Sequence, residues 1–270
     1  MDFIINKLAD YQDFNQISRR LVIERLLKAK FIIDSTGLPY SDHMQDNWLR
    51  LWEYSGAIIN SHLDRRMKVL DAGGTGTIFS YYMAMEGCEV HTIDLSEDKV
   101  KDAVMLTEKL GLNMRHTNSR IEDIDYPDCF FDAIYSICVI EHNNREDQKR
   151  LMRNLARMLK HGGVLVVTFG YGIKAPGTTF LNDHDVQNYI VEPSYLYVLG
   201  NPIIYENSSD MFGNSLDYTF GMITLQKDGK LELNNVNLIS IKPSSIFDSA
   251  KDVSFGYYGY CEGRSIGGIE

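Results

Sequence analysis

The sequence predicts an α/β protein built on a mostly parallel sheet with helices on both faces. Three observations carry that expectation. Short apolar segments alternate with helical ones between positions 68 and 168. Those short segments are apolar almost throughout, as strands covered from two sides must be. The first of them runs into a glycine-rich turn, Gly73-Gly74-Thr75-Gly76, that opens a helix.

The elements follow in order. Phe14, Ile17, Leu21, Val22, Arg25 and Leu26 form a stripe at three-to-four spacing, extended by Leu27 and Phe31. Thr36-Gly37-Leu38-Pro39 ends that helix. A second helix is expected over 46–63, with Trp48, Leu51, Trp52, Ile58 and Ile59 on its apolar face. Strands are then expected at 68–71, 89–94, 114–117, 131–137 and 164–168. Helices between them cover 77–85, 97–110 and 146–159. Ser96 can cap the helix that stops at Gly111. Beyond Thr168 the alternation stops. Residues 170–182 read as loop and 183–191 as a short helix. Segments 219–226 and 231–241, joined by Lys227-Asp228-Gly229-Lys230, read as an antiparallel hairpin closing the sheet.

Composition narrows the function. The chain has 270 residues, 44% hydrophobic and 11% aromatic, which is too apolar for intrinsic disorder. Its 27 basic and 37 acidic side chains give a net charge of −10. That charge argues against a nucleic-acid partner and against an anionic membrane surface. No apolar run reaches the length of a membrane span, and the first residues lack the pattern of a signal peptide. A cytoplasmic location is therefore expected. Cys88, Cys129, Cys138 and Cys261 form no CxxC pair, and no cluster at metal-ligand spacing occurs, so no metal is expected.

The chemistry lies in the turns after the strands, where ligands bind in this architecture. Asp71 precedes the glycine turn. A carboxylate there disfavours a pyrophosphate and favours a cationic ligand such as one carrying an ammonium and a sulfonium. The alternative is that Asp71 only caps the next helix. Asp94, 23 residues further on, ends the second strand, where a carboxylate can accept both hydroxyls of a ribose.

Val69-Leu70-Asp71-Ala72-Gly73-Gly74-Thr75-Gly76, Thr92-Ile93-Asp94, Phe131-Asp132-Ala133-Ile134-Tyr135-Ser136, Val139-Ile140-Glu141-His142 and Leu159-Lys160-His161-Gly162-Gly163 occur in that order. The set resembles the class I S-adenosylmethionine-dependent methyltransferases of small-molecule type and covers about residues 67–169. The resemblance implies a Rossmann-like, seven-stranded, mostly parallel sheet with an antiparallel C-terminal hairpin. It divides the chain into a helical extension or lid, 1–63, and a methyltransferase domain, 64–270, in which 171–215 form a substrate-side insertion. The family usually shows Asp-x-Gly-x-Gly-x-Gly; here the turn is one residue shorter or carries Thr75 in a glycine place.

By the same resemblance the cofactor is S-adenosyl-L-methionine. Its contacts would come from Asp71, Gly73, Gly74, Thr75, Gly76, Asp94, Leu95, Asn118 or Ser119, the backbone at Ile137 and Cys138, and Tyr54. Thr75 could donate its hydroxyl to the cofactor carboxylate. His142 follows Glu141 beyond the fourth strand and is either a general base or, with Glu141, a brace for that loop. The expected reaction is in-line transfer of a methyl group to a small molecule or glycan, on oxygen. The competing readings are a nicotinamide-dependent oxidoreductase on a similar fold and a non-catalytic S-adenosylmethionine-binding protein. Oligomeric state and acceptor identity stay open.

Overall fold

A computed structural model describes residues 6–41, 48–172, 177–178, 180–201 and 218–228, together with the backbone of 260–261 and 264–265. Its centre is an eight-stranded sheet. The strands are β1 (Lys7–Leu8), β2 (Lys68–Ala72), β3 (Glu89–Asp94), β4 (Met114–Asn118), β5 (Phe131–Ile137), β6 (Leu159–Tyr171), β7 (Tyr197–Val198) and β8 (Thr219–Gln226). They stand in the order β1-β8-β6-β5-β2-β3-β4, with β7 also on β8. The pairs β2–β3, β3–β4, β2–β5 and β5–β6 are parallel, and every pairing of β8 is antiparallel.

The succession of strands reverses direction between β2 and β5. That switch point opens a crevice at the carboxyl ends of the two strands, because the crossovers leave them on opposite sides. Helices α1 (Ile17–Asp34), α2 (Trp48–Asn60), α3 (Ile78–Met85) and α4 (Glu97–Leu110) cover one face. Helix α5 (Arg145–Met158) and the helical stretch from Asp183 to Ser194 cover the other. Neighbouring strand residues face opposite cores: Val69 packs with Trp52, Phe79 and Tyr82, and Leu70 with Ile134, Leu151 and Leu165.

Local chemistry explains the boundaries. The Thr77 and Ser96 hydroxyls accept the Ser80 and Lys99 backbone N–H groups and start α3 and α4; Gly111, at φ +63°, ends α4. Asn144 takes the N–H groups of Glu146 and Asp147 and starts α5.

Helix α1 departs from the expected stripe. Ile17 and Leu21 are 76% and 57% exposed and Phe31 is also exposed, whereas Arg19, Val22, Ile23, Leu26, Ala29 and Ile33 are buried. A buried cation decides the rotation. The Arg19 guanidinium donates to the Trp52 carbonyl at 2.6 Å and the Ser55 hydroxyl at 2.9 Å, both on α2. Counting apolar residues alone misses such an anchor.

The closing strand also differs in its partners. Thr219–Gln226 forms as expected and pairs with β6 along its whole length. Its other edge is taken by β1 at Gly221 and Met222 and by β7 at Leu225 and Gln226. Asn6 fills the gap between them: its Oδ1 accepts the Thr224 N–H at 2.7 Å, while its Nδ2 donates to the carbonyls of Leu199 and Asn201. The expected second arm, 231–241, lies outside the described residues, as do positions 46 and 47 of the second helix. Tyr260–Cys261 and Arg264–Ser265 form a separate antiparallel pair. No helix of the described residues is long and apolar enough to cross a membrane.

Candidate active site

The crevice at the switch point holds a cavity of about 610 Å³. The loop after β2 forms its floor. Gly73 and Gly74 are glycines for reasons of space: a Cβ on Gly73 would stand 2.6 Å from Val139, and one on Gly74 would stand 2.0 Å from the Asp71 carboxylate. Asp71 is buried, and its Oδ2 accepts the Ser80 hydroxyl at 2.5 Å and, more loosely, that of Thr77. Burial pushes its carboxyl up to about 6, against the pull of those hydroxyls. A cation brought against the cavity wall would restore its charge, so the site fits an ammonium-bearing ligand.

At the end of β3, Asp94 lines the cavity with its carboxylate partly engaged. Oδ1 accepts the Ser96 N–H at 2.9 Å, and Oδ2 lies 3.5 Å from the Lys99 ammonium. Two oxygens offer about four acceptor positions, so room remains for a diol. Leu95, 69% exposed, stands beside it. After β4, Ser119, Arg120 and Ile121 line the wall. Asn118 turns away and donates to the Asp94 carbonyl at 3.0 Å, so Ser119 is the member of that pair at the cavity.

The turn after β5 supplies the opposite wall with Ile137, Cys138, Val139 and His142. Cys138 has φ +52°, a conformation L-residues seldom adopt, and is held by hydrogen bonds from its N–H to the hydroxyl and carbonyl of Thr168. Tyr54 on α2 also lines the cavity, buried and stacked on Phe79 with ring centroids 5.0 Å apart.

Two expected residues, Gly76 and Glu141, stand outside the lining, and a third, Thr75, turns its hydroxyl away. Thr75 lines the cavity, but its hydroxyl donates to Thr92 Oγ1 at 2.7 Å rather than into the cavity. Gly76 stands outside the lining residues, and its carbonyl accepts the Ser41 N–H. Glu141 also lies behind the wall. Its Oε1 accepts the Gly170 N–H at 3.2 Å, and its Oε2 is buried without a partner. Burial raises its carboxyl to about 7. His142, next to it, is exposed at the cavity. No group of described residues has the make-up of a metal site.

Sequence reasoning missed a second set. Arg50 lines the cavity, and its Nη1 donates to Glu53 Oε2 at 2.9 Å. Glu53 is fully buried, and its Oε1 accepts the Thr168 hydroxyl at 2.6 Å and the Cys138 thiol at 2.8 Å. Burial pushes the Glu53 carboxyl up, while Arg50 beside it pulls the other way. The available signal was a charged pair at i,i+3 inside the apolar Trp48–Asn60 helix.

A doubly wound sheet places its ligand site in the crevice at the switch point, here lined by two carboxylates. Residues 69–163 match a family model described as a methyltransferase domain. Over that stretch the chain is similar to the class I S-adenosylmethionine-dependent methyltransferases. It is 26% identical over 144 residues to a ubiquinone biosynthesis O-methyltransferase of Rickettsia prowazekii, covering 49% of this chain and 56% of that one. It is 28% identical over 208 residues to the ubiquinone/menaquinone biosynthesis C-methyltransferase UbiE of Idiomarina loihiensis, covering 74% and 76%. The chain thus spans little more than half the length of the Rickettsia relative. Two solved structures share the fold. The [4+2]-cyclase SpnF has TM-score 0.55 and 16% identity, covering 78% of this chain and 96% of that one. The Burkholderia thailandensis 1,6-didemethyltoxoflavin-N1-methyltransferase, solved with 1,6-didemethyltoxoflavin and S-adenosylhomocysteine, has TM-score 0.51 and 14% identity, covering 76% and 88%.

Proposed function

We propose that this protein transfers a methyl group from S-adenosylmethionine to a hydroxyl of a small organic molecule. The observation that carries the reading is the pairing of buried Asp71 with half-engaged Asp94 on one cavity wall, suited to an ammonium and a ribose diol. The cofactor supplies a methyl group on a sulfonium, whose departure leaves a neutral thioether. The chain's task is then alignment and exclusion of water.

Ser119 and Ile121 would flank the adenine, and Leu95 would cover the ribose. Arg50, held by Glu53, would face the carboxylate of the amino-acid portion, with Tyr54 beside it. Thus the helical extension reaches the cavity through Arg50 and Tyr54, while much of the expected substrate-side insertion, 171–215, lies outside the described residues. Glu141 braces the turn after β5 through the Gly170 N–H, which leaves His142 as the group at the cavity able to take the acceptor's proton. The relatives' names, O- and C-methyltransferases of ubiquinone biosynthesis, support a small organic acceptor over a glycan. Their bacterial biosynthetic roles agree with a cytoplasmic site of action.

Two experiments test this. Calorimetry should show S-adenosylhomocysteine binding in the micromolar range and no binding of nicotinamide dinucleotides; the reverse order removes the proposal. Isotope-labelled S-adenosylmethionine is then offered with phenols, hydroquinones and sugars and the products read by mass spectrometry. Label on oxygen of a small phenolic acceptor is expected; label on carbon overturns the choice of atom. Cofactor binding without transfer to any acceptor favours the non-methylating reading, to which the likeness to a cyclase lends weight. In the active pair, His142→Ala should lower turnover by about a hundredfold or more and leave cofactor affinity unchanged.

A further inference from the structure

We propose that His116, which lies outside the cavity, is a positioning residue for the glycine-rich loop and acts on Thr75 through Thr92. The proposal rests on reading that loop as the S-adenosylmethionine site.

Within Gly73–Gly76, Thr75 alone carries a side chain, so its hydroxyl is the single side-chain restraint this stretch can have. That hydroxyl donates to Thr92 Oγ1 at 2.7 Å. With its oxygen engaged as acceptor, Thr92 directs its own proton to its other partner, His116 Nδ1, at 2.8 Å. Nδ1 must then be bare, and the imidazole proton sits on Nε2. Nε2 lies 2.7 Å from Thr107 Oγ1 and donates to it. Thr107 in turn directs its proton to Met114 Sδ at 3.6 Å. Every hydrogen along the chain points the same way, and each group both accepts and donates where it can.

The path crosses the sheet in one row. Asp71 pairs in register with Thr92, and Thr92 with His116. At Thr107 it reaches α4, whose first turn is capped by Ser96, the residue whose N–H holds Asp94. One ring therefore fixes the loop that follows Asp71 relative to the helix that sets Asp94. Thr75 and Thr92 are buried and His116 is half-buried, so water does not readily replace a lost member. Burial lowers the His116 pKa to about 4, which keeps the ring neutral and the direction constant over the working range.

The experiment uses the full chain and S-adenosylhomocysteine. In His116→Asn the amide oxygen stands near the place of Nδ1 and still accepts from Thr92. In His116→Gln the amide reaches the place of Nε2, keeps Thr107 and abandons Thr92. Calorimetry should find His116→Gln weakened about tenfold and His116→Asn within about twofold of wild type, the scale of one buried hydrogen bond. Nitrogen NMR on the wild type should show His116 as the Nε2–H tautomer with and without ligand. Equal affinities for His116→Gln and wild type, equal weakening of both variants, or an Nδ1–H tautomer would each overturn the proposal. The wild-type spectrum decides even where a variant fails to fold. A wild type that binds no S-adenosylhomocysteine removes the cofactor reading and the positioning role with it; wild-type binding with an indifferent His116→Gln removes the positioning role alone.

Discussion

The two walls of the cavity are built differently. On the β2–β3 wall, the two carboxylates are satisfied by neighbours in sequence: Asp71 by Thr77 and Ser80, Asp94 by Ser96 and Lys99. On the β5–β6 wall they are satisfied across the chain. Glu53 on α2 takes Thr168 from β6 and Cys138 from the turn after β5, and Glu141 takes the N–H of Gly170. Short-range satisfaction leaves acceptor capacity for a ligand and survives the loss of one partner. Long-range satisfaction ties three segments together and makes each partner indispensable to the others.

Removing Glu53 should have the largest effect. Glu53→Ala leaves Arg50 without its counter-charge in a half-closed site and frees Thr168 and Cys138. Breaking a buried pair costs about 3–5 kcal/mol. Urea unfolding should show that loss, and Glu53→Gln should recover part of it. A loss below about 1 kcal/mol would place Arg50 in water and dissolve the contrast between the walls.

Asp94→Ala probes the other wall. Binding of S-adenosylhomocysteine should weaken by roughly 2–3 kcal/mol, the value of charge-assisted hydrogen bonds to a diol. Unfolding without ligand should change by about 1 kcal/mol or less, since only an exposed turn and a half-exposed ion pair are lost. A large drop in stability with unchanged affinity would reverse the assignment.

The pH dependence sharpens the same contrast. The carboxyls of Asp71 and Glu141 lie higher in the folded chain, about 6 and 7, than their unfolded values. The folded state therefore binds more protons, and unliganded stability falls as pH rises from about 4 to about 7. Glu141→Gln should flatten the upper part of that fall and leave the variant roughly 2–3 kcal/mol more stable at pH 8. A curve of unchanged shape would mean that Glu141 is solvated. Bound ligand should counteract the Asp71 part, so affinity should rise between pH 5 and 7 with release of a proton.

How legible each region was follows from the same difference. The strands from Lys68 to Ile137, the Ser96 cap and the Gly111 stop could be read because their causes lie within a few residues. Asp71 and Asp94 could be placed at the cavity for that reason, and the stretch holding Asn118 and Ser119 through the family resemblance. Glu53 could not, because Thr168 and Cys138, which it accepts from, lie on β6 and beyond β5; Arg50 went with it, although their pairing is local. Thr75 lines the cavity as expected, but nothing in the sequence signals that Thr92 takes its hydroxyl. The α1 stripe failed through Arg19, an anchor invisible to hydrophobic periodicity. The smallest expected effect checks that last point: Leu21→Ser should move the melting midpoint by less than about 0.5 kcal/mol equivalent, whereas Leu26→Ala should cost about 2–5 kcal/mol. A large loss for Leu21→Ser would put the exposed face of α1 against something.

The seam along β8 bears on how the chain comes to be folded. Its outer edge is closed by Asn6, Lys7 and Leu8 from near the start of the sequence and by Tyr197 and Val198 from far along it. During synthesis the strands up to β6 can assemble as they emerge. The β1 residues then have nothing to pair with until Thr219–Gln226 has been made. Until that moment β6 presents a long, apolar, unpaired edge, the kind of surface on which chains stick to one another. Closure of the sheet is thus a late, long-range event.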